Sequence, residues 1–307
     1  MVTTTDLHAI APPRHAPIHA PHLTRYRLSL HGVTAEVVAP HRPFARLLQV
    51  ALGGYPASPV DIVPDFRISL EPAEGVDRWR VSSTAHPRPR VIRSAVEAAR
   101  HAEWMFADEG VRRLSRYVHV HGAVFAAADR SGILVGRSGM GKSTTSVGLA
   151  CAGLTLFADD VTLIDPETLR PVSFCRPIKL DESSRSMLRS MGLNVPARCR
   201  LRESVARYAI PGMPASDAPV PPVEVVLFFA AEREASPHLR PLTLAEAMLR
   251  FVRQSVSESV DSNGSTAGVL AIVNAARCYE LTAGRLEDTV RIIADLMRDR
   301  TVSEVTP

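Results

Sequence analysis

The sequence predicts an α/β fold with a small strand-rich N-terminal domain, and three observations support it. From residue 117 onward, short apolar runs of strand length alternate with segments of helical period. One of these strands, Gly132 to Gly136, runs straight into a glycine-rich turn and then a helix, Lys142 to Cys151. Ahead of them, residues 24 to 90 read as several short strands around a single short helix. With 307 residues the chain has room for two modest domains.

The elements follow in order. Residues 1 to 23 hold four Pro and four His with no apolar period, and are expected to form a flexible tail. Tyr26 to Val38 reads as two strands around a turn at His31-Gly32, and Phe44 to Leu52 as a helix ending at Gly53-Gly54. Asp65 to Leu70 and Arg78 to Ser83 are two more strands, which complete an α+β domain over residues 24 to 90. His86-Pro-Arg-Pro-Arg90 breaks that pattern, and helical spacing over residues 91 to 116 predicts one or two connecting helices. The second domain, 117 to 300, opens with the alternating strand Tyr117 to Ala127. After the helix at Lys142 come a buried strand, Leu154 to Ala158, and an extended stretch, Val161 to Ile164. A core strand at Val223 to Phe229 follows, with amphipathic helices at Leu244 to Val256 and Leu286 to Arg298.

Composition narrows the function classes. A hydrophobic fraction of 46% and a charged fraction of 22% suit a globular protein with a real core. No apolar run nears the ~20 residues that span a bilayer, and no secretory h-region stands at the start, so a cytoplasmic protein with no membrane partner is expected. Cys151, Cys175, Cys199 and Cys278 are too dispersed for a disulfide framework or a zinc site, and read as reduced, mostly buried thiols. A net charge of +4 does not argue for nucleic acid. Of 36 basic Lys and Arg residues, only Lys142 and Lys179 are lysines. A lysine kept under such a bias points to a place where a compact ammonium is needed.

Gly136, Arg137, Ser138, Gly139, Met140, Gly141, Lys142 and Ser143 satisfy G-x-x-x-x-G-K-[ST] between a strand and a helix, followed by Thr144. Glycines let consecutive N–H groups converge on one cavity, and the helix N-terminus adds positive potential, so the stretch from Gly136 to Thr144 predicts a nucleotide phosphate site. Lys142 would reach the terminal phosphates, and Ser143 would ligand Mg²⁺. Asp159-Asp160 closes the next strand, at a switch point of a parallel sheet, where it would hold Mg²⁺ or act as a base. A turn or capping pair is the plainer reading. His119 and His121 alternate on the preceding strand, so both are expected on one side. His121 could reach the nucleotide or be an ordinary packed or solvent-facing histidine.

His121-Gly122, Gly136 to Ser143 and Ala158-Asp159-Asp160 together resemble the HPr serine kinase/phosphorylase family, well over residues 117 to 166 and weakly outside them. The resemblance implies a P-loop kinase core of the HPr kinase and phosphoenolpyruvate carboxykinase type, with ATP and Mg²⁺ as cofactors. It implies that Lys142 binds phosphate, Ser143 binds Mg²⁺, Asp160 is the general base, and His121 is a catalytic-site residue; Asp159, from the reading of the aspartate pair, is expected to support the metal. The chain departs from the family where Thr144 replaces a Glu after the loop serine. Phe174 to Glu182 stands where the family has Glu-Ile-Arg-Gly, and a later Pro-Gly-Arg-Asn stretch is missing. Phosphorylase activity is therefore not expected.

The reading that follows is an ATP-dependent kinase acting on a serine hydroxyl of a protein or peptide acceptor, with a ribosomal precursor peptide as one such acceptor. A nucleotide-binding regulator without phosphoryl transfer is the alternative, and a carboxykinase-like enzyme lacks a recognisable second metal site. A homo-oligomer stays open. Lys179, ahead of Asp181-Glu182, reads equally as a phosphate or acceptor contact and as a solvated side chain. Residues 176 to 207 hold eight basic and three acidic residues, which would steer an anionic acceptor or simply form a solvated face.

Overall fold

The computed structural model describes residues 18–20, 22–174, 176, 178–192, 199–202, 205–208, 218–254 and 262–299. The chain divides into two compact units, residues 1–115 with 198–203, and residues 116–197 with 204–307. Most of the expected tail, residues 1–17, lies outside the described residues.

The first unit contains β1 (Ile18–Ala20), β2 (Leu23–Leu30), β3 (Val33–Pro40), α1 (His41–Leu52), β4 (Phe66–Pro72), β5 (Trp79–Ser83), β6 (Arg90–Ile92) and α2 (Ala95–Arg113). The six strands pair in sequence order into one sheet, parallel only between β3 and β4. Strand alternation sends Leu28, Leu30, Val37, Ile68 and Val81 to a buried face covered by α1 and α2. The other face carries Glu36, which is buried although charged and is gripped by Arg67 at 2.7 Å, with Arg25 and Arg27 nearby. Two expectations change here. Residues 18–20 pair with β2 instead of trailing as a tail, and Arg90–Ile92 is an edge strand instead of the start of a helix. A single helix, α2, follows, capped by Ser94 Oγ accepting from Glu97 N at 3.0 Å.

The remaining elements are β7 (Val118–Val120), β8 (Gly122–Ala127), β9 (Arg130–Val135), α3 (Lys142–Cys151), β10 (Thr155–Ala158), β11 (Thr162–Ile164), β12 (Pro171–Val172), β13 (Ile178–Asp181) and α4 (Glu182–Ser190). After these come β14 (Cys199–Arg202), β15 (Val205–Tyr208), β16 (Val223–Arg233), β17 (His238–Pro241), α5 (Leu244–Gln254), α6 (Ser262–Ala275), β18 (Arg277–Ala283) and α7 (Leu286–Arg298).

The second unit is built on a six-stranded sheet in the order β10-β8-β9-β16-β18-β17. β9, β16 and β18 run parallel, whereas β8 runs against both β9 and β10. Helices cover both faces. Val225, Leu227 and Phe229 of β16 pack with Leu149 of α3 and with Val290, Ile293 and Met297 of α7. On the opposite face, Phe228 meets Phe251 of α5 edge-on at 5.9 Å. The mixed α/β architecture agrees with the sequence reading, but β10 is an edge strand of a mixed stretch and does not stand in a parallel sheet.

The expected strand Tyr117–Ala127 is also two strands. The chain bends at His121, so that β7 pairs with β11 in a small separate sheet while β8 joins the main one. His119 is therefore buried in the small sheet, whereas His121 stands at the bend and lines the cavity described below. Helix α6 was not expected. Its small residues permit close approach, and a Cβ at Gly268 would lie 2.4 Å from Val118 Cγ2. The last two residues of the expected helix 244–256 lie outside the described residues. Cys278 is buried, and burial pushes its thiol up to about 12, whereas Cys151 is exposed, against expectation. Cys175 and the Cys199 side chain lie outside what is described.

Contact between α3 and α7 depends on Gly148, where an added Cβ would meet Val290 Cγ2 at 2.6 Å. Gly148→Val should lower the unfolding free energy by about 1–3 kcal/mol, the usual cost of overpacking. Urea titration measures this, and an unchanged midpoint would mean that the two helices are not packed this closely.

Candidate active site

Strand direction assembles the site. Because β8 opposes both β9 and β10, those two strands point the same way and their C-terminal ends lie at one edge of the sheet, where β8 begins. That edge receives the glycine turn after β9, the Asp159-Asp160 pair after β10, and His121 just before β8.

The turn from Gly136 to Gly141 needs glycine at two positions. Gly139 has φ +86° and Gly141 φ +99°, in the left-handed region that side chains disfavour. Gly141 is the N-cap of α3, so the first amides of that helix open towards the turn. Crowding adds a second constraint at Gly141, since a Cβ there would lie 2.7 Å from Arg233 Nη2. Arg233, at the end of β16, donates to the Met140 carbonyl at 3.2 Å. Nothing in the sequence connected Arg233 with the loop, 93 residues away.

Lys142 begins α3 and is 6% exposed. Its Nζ donates to the carbonyls of Gly136 at 2.5 Å and Arg137 at 3.0 Å, and lies 3.1 Å from His121 Nε2. The other ring nitrogen, His121 Nδ1, is 2.8 Å from the Asp160 carbonyl. An ammonium can only donate and a carbonyl can only accept, so the two contacts together require the neutral Nδ1–H tautomer. The imidazole thus connects the lysine to the main chain of Asp160. Burial lowers the Lys142 pKa from its ordinary value, opposed by Asp159 and Asp160.

Asp159 and Asp160 are neighbours in unlike surroundings. Asp159 is buried, and its Oδ2 accepts from Ser143 Oγ at 2.8 Å. Its Oδ1 is buried with no hydrogen-bond partner. Burial raises its carboxyl to about 6, helped by Asp160 and opposed by the Ser143 hydrogen bond, Lys142 and Arg176. Asp160 keeps a largely exposed side chain, at 61%. Its φ of +73° is unusual for a residue with a Cβ. Its Oδ1 lies 3.4 Å from His121 Nδ1 and its Oδ2 4.0 Å from Arg176 Nη1.

These groups line one cavity of about 430 Å³. The glycine turn and α3 supply Ser138, Gly139, Gly141, Lys142, Ser143 and Thr144. His121, the two aspartates, and Arg176, Lys179, Asp181 and Ser184 from β13 and its flanks complete the lining. Of the stretch read as nucleotide-binding, Gly136, Arg137 and Met140 do not line the cavity. They serve it through carbonyls, the first two towards Lys142 and the third towards Arg233. Thr144 Oγ1 donates to Ser184 Oγ at 2.7 Å and ties α3 to α4. Ser184 and Arg233 have no motif around them, so sequence reading passed over both.

The donor set fits a phosphate-bound Mg²⁺. One carboxylate oxygen lacks a partner, a hydroxyl stands beside it, and both lie at the start of a helix next to a lysine. No protein-family model matches the chain, and no curated protein does. Among solved structures, the Hpr(Ser) kinase/phosphatase from Coxiella burnetii is similar over 60% of this chain and 90% of its own, at 11% identity and a TM-score of 0.32. It is a weak structural neighbour. No helix among the described residues is long and apolar enough to cross a membrane.

The raised Asp159 carboxyl has a consequence for stability. A carboxyl held above its unfolded value of about 4 favours folding while it is protonated, and loses that contribution as pH rises through about 6. Roughly two units correspond to about 2–3 kcal/mol lost by pH 7.5. Asp159→Asn should therefore stabilise the metal-free protein by about 2 kcal/mol at pH 7.5 and change little near pH 4. Denaturant titration across that range decides, and a variant less stable than wild type at pH 7.5 would contradict the burial of a charge here.

Proposed function

We propose that the chain is a Mg²⁺- and ATP-dependent kinase that transfers the γ-phosphoryl group to a serine hydroxyl of a protein or peptide, on a P-loop core of the HPr kinase type. The reading rests chiefly on the division between the two adjacent aspartates. A carboxylate buried against a helix-start hydroxyl suits a metal, and an exposed one at the rim of the same cavity suits an acceptor proton. The motif resemblance and the lysine at the start of α3 agree with it.

When bound, Mg²⁺ would supply charge neutralisation to the phosphates. Ser143 and Asp159 would hold it, and Lys142 with the loop amides would bind the triphosphate. Asp160 accepts the proton of the serine hydroxyl as its oxygen forms a bond to the γ-phosphorus. The bond from that phosphorus to the β,γ-bridging oxygen breaks, and ADP leaves. His121 positions both Lys142 and Asp160 through its two ring contacts. A left-handed backbone at Asp160 costs free energy of about 1 kcal/mol or more, and such strain is kept where a side chain must point in a particular direction. A cytoplasmic location and a serine-bearing peptide as acceptor belong to the same proposal.

A general base contributes ~10²–10⁴-fold in rate. Asp160→Asn should slow single-turnover transfer from labelled ATP by about that factor while nucleotide affinity, read by calorimetry, changes far less. Lys142→Met should instead abolish nucleotide binding. Transfer at the wild-type rate by Asp160→Asn would remove the base assignment. If wild type binds Mg·ATP but phosphorylates no serine acceptor, the chain is a nucleotide sensor.

A further inference from the structure

The chain has only two lysines among its 36 Lys and Arg residues, and both line the same cavity. Lys142 is accounted for by the phosphates. Lys179 stands on β13, where Ile178 and Leu180 turn inward to pack against Val147 of α3 and Leu156 of β10. Alternation along the strand therefore sends Lys179 to the cavity. Among the described residues, no hydrogen bond or ion pair holds its ammonium. The nearby carboxylate of Asp181 is already engaged as the N-cap of α4, accepting from Ser184 N and Ser183 Oγ, both at 2.8 Å.

Arg176, three residues earlier, lines the same cavity. Its side chain is 11% exposed, with the guanidinium 5.8 Å from the Phe174 ring centre and 4.0 Å from Asp160 Oδ2. Two cations of different shape thus line one cavity, Arg176 beside Asp160 and Lys179 on the strand that packs against α3. A cation beside the base lies beside the acceptor hydroxyl, because the base must touch that hydroxyl. In the kinase reading the triphosphate would be met by Lys142, Ser143 and the loop amides.

We propose that Arg176 and Lys179 form a second anion subsite, which takes a carboxylate or phosphate group borne by the acceptor next to the hydroxyl that is phosphorylated. The proposal builds on the kinase reading for the word acceptor, but the subsite itself stands on the cavity alone. An arginine offers a planar fork for two oxygens and a lysine a compact point charge, so the pair suits an oxyanion held from two sides.

The first measurement does not need phosphoryl transfer. Protein saturated with Mg²⁺ and a non-hydrolysable ATP analogue, which fills the loop, is titrated with inorganic phosphate by calorimetry. Saturable binding is expected in wild type, about tenfold weaker in Lys179→Met and in Arg176→Met, and largely restored in Lys179→Arg. Absence of saturable binding in wild type, or wild-type affinity in Lys179→Met, overturns the subsite. The second measurement distinguishes the sources of the anion, comparing serine peptides that differ only in a neighbouring Asp, phosphoserine or Asn. Charged neighbours should raise kcat/KM by about tenfold, the better of the two naming the group, and the preference should collapse in Lys179→Met. Equal rates for all three peptides overturn the assignment of the subsite to the acceptor. If wild type phosphorylates none of them while the phosphate titration succeeds, the kinase reading fails and the subsite remains.

Discussion

Strand β8 runs against both of its neighbours, and the candidate site depends on that reversal. An antiparallel strand between β9 and β10 makes those two point the same way, so the chain leaves both at one edge of the sheet. The same strand begins where they end, which brings His121 to the edge with no further device. β16, parallel to β9, ends there as well, and Arg233 reaches from it to the Met140 carbonyl. Four segments far apart in sequence are thus brought together by sheet pairing, which is held by many backbone hydrogen bonds and by the buried residues of β9 and β16. The site's side chains contribute little to their own placement.

Those side chains are in fact held at a cost. Asp159 is buried with one oxygen unpartnered, and burial raises its carboxyl while it lowers the Lys142 ammonium. Each group is shifted towards its neutral form, so the ligand-free cavity carries two ionisable groups that would both gain from compensating charge. A divalent cation beside Asp159 and phosphate oxygens beside Lys142 would supply it in a single binding event. The physical expectation is that nucleotide and metal stabilise each other's binding and the fold together. The carbonyls bonded to Lys142 and the Ser143 hydroxyl bonded to Asp159 solvate these groups without supplying full opposite charge.

The local parts of this arrangement were legible in the sequence, and the long-range parts were not. Glycine at a left-handed position, a lysine at a helix start and an aspartate pair after an apolar strand are short-range signals. Helix α3 accordingly begins and ends where its sequence indicates, at Lys142 and Cys151. The bend that splits β7 from β8 falls at His121-Gly122, where the alternation of Val118 to His121 gives way to a continuous apolar run, but only the pairing with two different sheets turns that break into two strands. The antiparallel setting of β10 was missed for a related reason, since alternation does not report a strand's neighbour. Ser184 and Arg233 enter the site through tertiary contacts alone.

Composition is the more searching guide to Lys179. A lysine bias tells nothing about geometry, yet it singled out Lys179 when no motif surrounded it. Periodicity then explains how that residue comes to face the cavity. β13 must bury Ile178 and Leu180 to close the small cluster with Val147 and Leu188, and a strand that buries alternate residues has no choice about the others. Packing on one side of β13 therefore dictates charge on the other. The aspartate that follows caps the first turn of α4, while Lys179 and Arg176 line the same cavity, the latter beside Asp160. A cavity lined by Lys142, Arg176 and Lys179 together with both aspartates offers cations to anionic ligands and a carboxylate beside them.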